Sequence, residues 1–300
     1  MTPDKPSDTA VGVALGVVAT MLDPVTRPLF PVSGEPYFEW FIEEHSEAAR
    51  AQLEAMKSAH TAPLIEFMRE AAAPGAALFT ALRKLFVERE VRAALDAGTE
   101  QVVVLGGGYD PLTLRLQDAY PKAVFYELDH PATQAVKRCA LQKRGVVAPR
   151  LSLLPAEFIG DPVEDKLLVA GFRADASTVF VCEGVLMYLA PEKVDQMFAL
   201  VRRLGGPHTR FVFTFLDRSV LANDPNARRF ASMVERNGET LLSSYVPSDM
   251  EHFLRARGFR LLALGDSNTL HGEYLAPRGI DRPLRNLEFA VCAGVDTTEA

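Results

Sequence analysis

Between residues 101 and 216, five short runs rich in Val, Leu and Phe are each followed by a stretch long enough for a helix. They are QVVVL (101–105), AVFYELD (123–129), RLSLLPAEF (150–158), STVFVCEG (177–184) and TRFVFTFL (209–216). Apolar strands separated by helix-length segments predict right-handed βαβ crossovers and a parallel sheet covered on both faces. Beyond 216 the pattern predicts a helix, a second helix over 248–257, a strand FRLLALG, a loop and a strand LEFAVCAG, for seven strands in all. Before 101 the chain reads as helices, YFEWFIEEHSEAARAQLEAMKSAH, PLIEFMREAAA and AALFTALRKLFVEREVRAALDAG, the last ended by Gly98. The expected organisation is therefore an N-terminal helical extension or lid at 1–98. It is followed by a Rossmann-like α/β domain at 99–300, with an insertion at about 217–247 placed to cover an acceptor.

Charge and cysteine usage narrow the partners. Thirty-two basic against 39 acidic residues give a net charge of −7, and no segment concentrates Lys and Arg into a stripe for a phosphate backbone, so nucleic acid is not expected. Cys139, Cys182 and Cys292 are odd in number, far apart and without a CxxC pair, which predicts neither a disulfide framework nor a metal site and favours a cytoplasmic setting. The apolar run VGVALGVVATML (11–22) is too short to span a bilayer, has an acidic flank and lacks a small-x-small cleavage site. Its apolar residues recur at helical spacing behind possible caps at Ser7 and Asp8, so a buried or lid-forming helix is expected, with no membrane partner.

In an open parallel sheet, ligands sit beyond the carboxyl ends of the strands. VVVLGGGYDP is such a strand-to-helix turn, and Gly106, Gly107 and Gly108 let backbone approach a ligand without a Cβ in the way. A dinucleotide fingerprint would carry one more glycine, at the position held here by Pro111, which follows Asp110 as a helix cap and first turn. The second strand closes with Glu127 and Asp129, where a carboxylate can accept both ribose hydroxyls, and alternation puts the two on one face. An adenosine ligand fits these features, and an NAD-dependent oxidoreductase is a competing reading, opposed by Pro111.

With CEGVLMYLAPEKV (182–194) the set becomes more specific. VVVLGGGYDPLTLRL, ELDHP and EGVLMYL, in that order, resemble the blocks of the leucine carboxyl methyltransferase family of S-adenosylmethionine-dependent enzymes. ALRKLFVERE resembles the family's arginine-bearing helix and RNLEFAV its closing strand, so the likeness runs over residues 78–291. It implies a class I methyltransferase fold, S-adenosyl-L-methionine as methyl donor with S-adenosyl-L-homocysteine as product, and no metal. It further implies that Arg83 grips the donor carboxylate, that Gly106 and Gly108 run beside its methionine and ribose portions, that Asp129, or alternatively Glu127, holds the ribose, and that Glu183 lies near the donor amine. Glu157-Phe158 stands where the family tends to have Asp-Leu, and the longer carboxylate would meet the adenine amino group.

The acceptor side is less constrained. The resemblance implies O-methylation, of a carboxylate or else a hydroxyl, on a small metabolite or a peptide. A carboxylate needs only orientation, for which Tyr188 and Arg285 are candidates, whereas an alcohol wants a base, with His130, His208 or His271 possible by residue type alone. Tyr188 could equally be a core aromatic, and Arg285 could pair with Glu288. A non-catalytic donor-binding protein is a further reading, and the oligomeric state is left open.

Overall fold

The computed structural model describes residues 5–30, 36–157, 162–174, 176–225, 227–228, 240–285 and 287–296. Seven strands form one sheet in the order β3-β2-β1-β4-β5-β7-β6. They are β1 (Gln101–Leu105), β2 (Val124–Asp129), β3 (Leu151–Pro155), β4 (Thr178–Cys182), β5 (Arg210–Leu216), β6 (Phe259–Gly265) and β7 (Glu288–Val295). The first five run parallel, and β7 lies antiparallel between β5 and β6. From β1 the chain winds outward through β2 to β3, then returns to place β4 on the other side of β1. That reversal opens a crevice at the carboxyl ends of β1 and β4, where open α/β sheets bind ligands. The seven-stranded α/β sheet expected from the sequence is the one found.

Alternation along β1 explains how both faces are filled. Val102 and Val104 pack with Leu82, Phe86 and Val91 of the long helix α5 (Ala76–Asp96). Val103 and Leu105 face the opposite layer, built on Val163 and Leu167 of α8 (Val163–Val169) and on Val194, Phe198 and Val201 of α9 (Pro191–Leu204). Phe198 meets Phe211, Phe213, Phe253 and Phe259 edge-on, with ring centroids 5.1, 5.2, 5.3 and 5.4 Å away, the geometry aromatic quadrupoles prefer.

Among the described residues, four α-helices precede α5. The run at 11–22 lies in α1 (Asp8–Leu22), which is capped by Ser7 and buries Val11, Ala14, Leu15, Val17 and Val18 against α5 and its neighbours. Among the described residues no helix is long and apolar enough to cross a membrane. The predicted single helix over 37–60 is two, α2 (Tyr37–His45) and α3 (Glu47–Lys57), because Ser46 is extended at φ −167° and its hydroxyl accepts from the Ala49 amide at 3.1 Å. A serine that can cap its own helix competes with continuing the previous one. α4 (Ala62–Ala72) buries no residue.

Candidate functional site

A cavity of about 510 Å³ opens at the crevice. Its floor is the turn from β1 into the short helix α6 (Leu112–Leu116), and its walls are the ends of β2 and β4. Ser7, Thr9, Ala10, Val13 and Ala14 of the α1 region form a roof. Gly106 and Gly108 have φ of 82° and 48°, backbone that glycine adopts without strain. The Gly106 amide donates to the Leu128 carbonyl at 2.8 Å, tying the turn to β2. Asp110 Oδ1 accepts from the Leu112 amide at 2.9 Å, while Pro111, expected in the first turn, is instead the residue that precedes α6 as its cap position.

Gly107 has a different reason to be glycine. A Cβ there would stand 2.5 Å from Cγ and Cδ of Glu127. Glu127 cannot retreat: its side chain is 1% exposed, and Lys137 Nζ of α7 (Pro131–Lys143) holds it at 2.5 Å while the Thr113 hydroxyl donates at 3.1 Å. Gly107→Ala is therefore expected to cost about 1–3 kcal/mol of stability through overpacking and to push the turn into the cavity. Urea unfolding and calorimetric titration with S-adenosylhomocysteine check this, and a variant that unfolds and binds as the parent does would refute it.

The two carboxylates on the β2 face have different surroundings. Glu127 lines the cavity but is occupied by the buried Lys137, whose ammonium also donates to the Asp110 carbonyl at 2.6 Å. Asp129, at the strand end, accepts from the Gly108 amide at 2.5 Å through Oδ2 and from the His130 amide at 2.6 Å through Oδ1. Each oxygen keeps a lone pair for a ligand. Burial raises the Asp129 pKa, against the two backbone amides that favour its anion.

At the other end of the cavity lies a network of buried charges. Arg83 Nε and Nη2 meet Glu183 Oε1 at 2.9 and 2.8 Å, and Nη1 pairs with Glu288. Lys84 Nζ sits 2.7 Å from Asp110 Oδ2 and 3.2 Å from Glu183 Oε1. Burial alone would lower the pKa of Arg83, but Glu288 and Glu183 outweigh it and raise it; Asp110 and Glu183 do the same for Lys84. Burial would raise Asp110, yet Lys84 and Arg115 bring it down to about 2. Two cations against three carboxylates leave the network one negative charge in excess, an environment suited to a ligand carrying an ammonium group.

Other sequence candidates sit as follows. Glu157 lines the cavity with its side chain 57% exposed, 3.9 Å from His130 Nε2, while Phe158 lies outside the described residues. Tyr188 lines the cavity on the turn Leu186–Tyr188. Arg285 is buried but does not line it; its Nη2 is 4.0 Å from Asp224, and Glu288, its sequence-suggested partner, is taken by Arg83. Of the three histidines only His130 lines the cavity, where its Nδ1 accepts from the Ala132 amide at 3.3 Å as the cap of α7. The predicted insertion at 217–247 is described in part, with Thr240 and Leu242 on the cavity wall and 229–239 outside the described residues. Sequence reasoning missed Lys84 and Lys137, and also His45, whose Nδ1 lies 2.7 Å from the Tyr109 hydroxyl in the glycine turn.

Comparison with known proteins gives a consistent result. A family model described as leucine carboxyl methyltransferase matches residues 10–202, from α1 to α9. A protein of Mycobacterium tuberculosis described as an S-adenosyl-L-methionine-dependent methyltransferase is 30% identical over 190 residues, covering 61% of this chain and 60% of that one. One of Bacillus subtilis with the same description is 27% identical over 180 residues, with 59% of each chain covered. The matches thus span about three fifths of these curated relatives. The crystal structure of a Thermobifida fusca protein described as a methyltransferase superposes with a TM-score of 0.57 at 20% identity, covering 86% of this chain and 94% of that one, a likeness of fold.

Proposed function

The chain belongs to the leucine carboxyl methyltransferase family, and from that membership and the geometry of the cavity we propose that it is an S-adenosylmethionine-dependent O-methyltransferase acting on a carboxylate of a small metabolite or peptide. The single observation that carries the donor assignment is the pairing of ends. A strand-terminal carboxylate, Asp129, stands on one side of a glycine turn, and a carboxylate-rich network, Glu183 with Asp110, stands on the other. Adenosine with a charged amino-acid tail matches both. A diphosphate fits poorly, because its negative charges, with no ammonium to offset them, would lie against Glu183, Glu288 and Asp110, which outnumber Arg83 and Lys84, the Arg and Lys among the described lining residues.

When bound, the donor supplies a sulfonium methyl group already activated toward in-line attack. The chain's task is alignment and exclusion of water. Asp129 would hold the ribose diol, and Glu183 and Asp110 would face the ammonium. Lys84, beside Asp110, would meet the donor carboxylate together with Arg83. An acceptor carboxylate is ionised at neutral pH, so an oxygen lone pair can form the new C–O bond while the C–S pair stays on sulfur, with no proton to move. Tyr188, on the cavity wall with Val185, Leu189 and Leu242, would orient that acceptor. Arg285 would reach it only by leaving Asp224, so Tyr188 is the stronger of the two.

The test is incubation with methyl-labelled donor and a panel of carboxylic acids and phenols, followed by mild alkali. Methyl esters release label as methanol. Base-stable label would overturn the carboxylate assignment and favour a hydroxyl acceptor, while retention of NAD but not S-adenosylhomocysteine in a calorimetric titration would overturn the donor.

A further inference from the structure

The roof of the cavity is joined to its floor through one histidine. His45, the last residue of α2, has a side chain only 6% exposed. Its Nδ1 lies 2.7 Å from the Tyr109 hydroxyl, with the rings edge-on at 74° and centroids 5.7 Å apart. Its Nε2 lies 3.5 Å from Oδ1 of Asp8, the first residue of α1. The acid opposite Nε2 selects the tautomer carrying its proton there, which leaves Nδ1 to accept from the Tyr109 hydroxyl. Tyr109 keeps that proton to give, since burial, Asp129 and Asp8 all push its pKa up. Tyr109 is itself a wall of the cavity and follows Gly108, whose amide donates to Asp129. The roof is close above this point: a Cβ on Gly108 would lie 3.5 Å from the Ala10 Cβ.

We propose that His45 is a positioning residue for the donor site, fixing Tyr109 in the glycine turn through Nδ1 and seating the first turn of α1 over the ribose through Nε2 and Asp8. This rests on the donor assignment above and deepens it. His45 touches no ligand; it acts through Tyr109, and its partners reach it from two separate parts of the chain, 37 positions before it and 64 after. A second tie, from the Ser7 amide to the Thr133 hydroxyl at 3.0 Å, holds the same end of α1, so losing His45 loosens the roof without detaching it. The Phe41 ring, centroid 6.0 Å from that of Tyr109, keeps the tyrosine packed when its hydroxyl bond is removed.

The experiment is a double-mutant cycle read by calorimetric titration with S-adenosylhomocysteine, each variant first checked for an unchanged far-ultraviolet spectrum and a cooperative melt. His45→Ala and Tyr109→Phe are each expected to weaken binding about tenfold, the size of one buried hydrogen bond. The double variant is expected to be no weaker than His45→Ala alone, because Tyr109→Phe removes a link that His45→Ala has already broken. His45→Asn, whose amide oxygen can replace Nδ1 as acceptor, is expected to recover most of the loss. In turnover the donor KM should rise with kcat at saturating donor little changed. Multiplying effects in the double variant, or unchanged affinity in Tyr109→Phe, would overturn the inference while leaving the donor assignment intact. If the parent protein itself failed to bind S-adenosylhomocysteine, the donor assignment would fall and this inference with it. Should His45→Ala not fold, Tyr109→Phe and His45→Asn carry the same decision.

Discussion

Replacing Asp129 by Asn is expected to weaken S-adenosylhomocysteine binding about a hundredfold, while Glu127→Gln changes it far less. A carboxylate that accepts both hydroxyls of a ribose makes two charge-assisted hydrogen bonds, each worth about 1.5–3 kcal/mol, and one such bond more or less accounts for tenfold or beyond. Asparagine keeps the shape but loses the charge and one acceptor, and the amides of Gly108 and His130 then compete for what remains. Glu127 differs because its charge is spent on Lys137. Neutralising it leaves a lysine that is 0% exposed without its counter-ion, so the damage should appear as lost stability. Titration calorimetry and thermal melts on both variants separate these effects. If Glu127→Gln lost the ligand and Asp129→Asn kept it, the two assignments would have to be exchanged.

The largest effect on stability is expected from Arg83→Met. Arg83 is 4% exposed and stands between Glu183 and Glu288, which are 8% and 14% exposed. Breaking a buried ion pair by removing one partner typically costs about 3–5 kcal/mol, because the remaining charge is left uncompensated. For a chain of this size that corresponds to a fall in melting temperature on the order of 10 °C. Adding Glu183→Gln and Glu288→Gln removes the stranded charges and should restore part of the loss, a non-additivity that distinguishes charge burial from lost packing. A melt within about 2 °C of the parent would mean that these carboxylates find water or protons more easily than their burial implies.

The residues above also show what could be read from sequence and what could not. β1 was legible because four consecutive apolar residues before three glycines have few other uses, and the crevice followed from the order of elements. Gly107 was legible as a turn residue but not as the contact of Glu127. The pairings within the charge network were not legible, although Arg83 and Glu183 were expected at the same end of the ligand. Arg83 and Glu288 are 205 positions apart, and Lys137 has the spacing of an ordinary surface lysine in a helix, so only the fold reveals that it is buried. His45 was overlooked for the same reason: its partners lie on α1 and in the glycine turn, and no local pattern connects them. The split at Ser46 shows the reverse case, in which a local signal was present but outweighed in the reading by the helical period on either side. Glu157 carries the residue type expected near adenine, yet its exposure makes it a weak anchor, and its neighbour Phe158 lies outside the described residues.

The antiparallel β7 has a consequence for how the molecule comes into being. β6 touches the rest of the sheet only through β7, although it precedes β7 in the chain. On the ribosome, the five parallel strands can therefore pair as they emerge, while β6 must wait without a hydrogen-bonding neighbour. During that interval the edge of β5 that later pairs with β7 presents unpaired backbone N–H and C=O groups from Arg210 to Leu216. Synthesis that stalls before 288 would leave a half-built sheet with an open strand edge, the kind of surface that chaperones bind and that nascent chains share with one another.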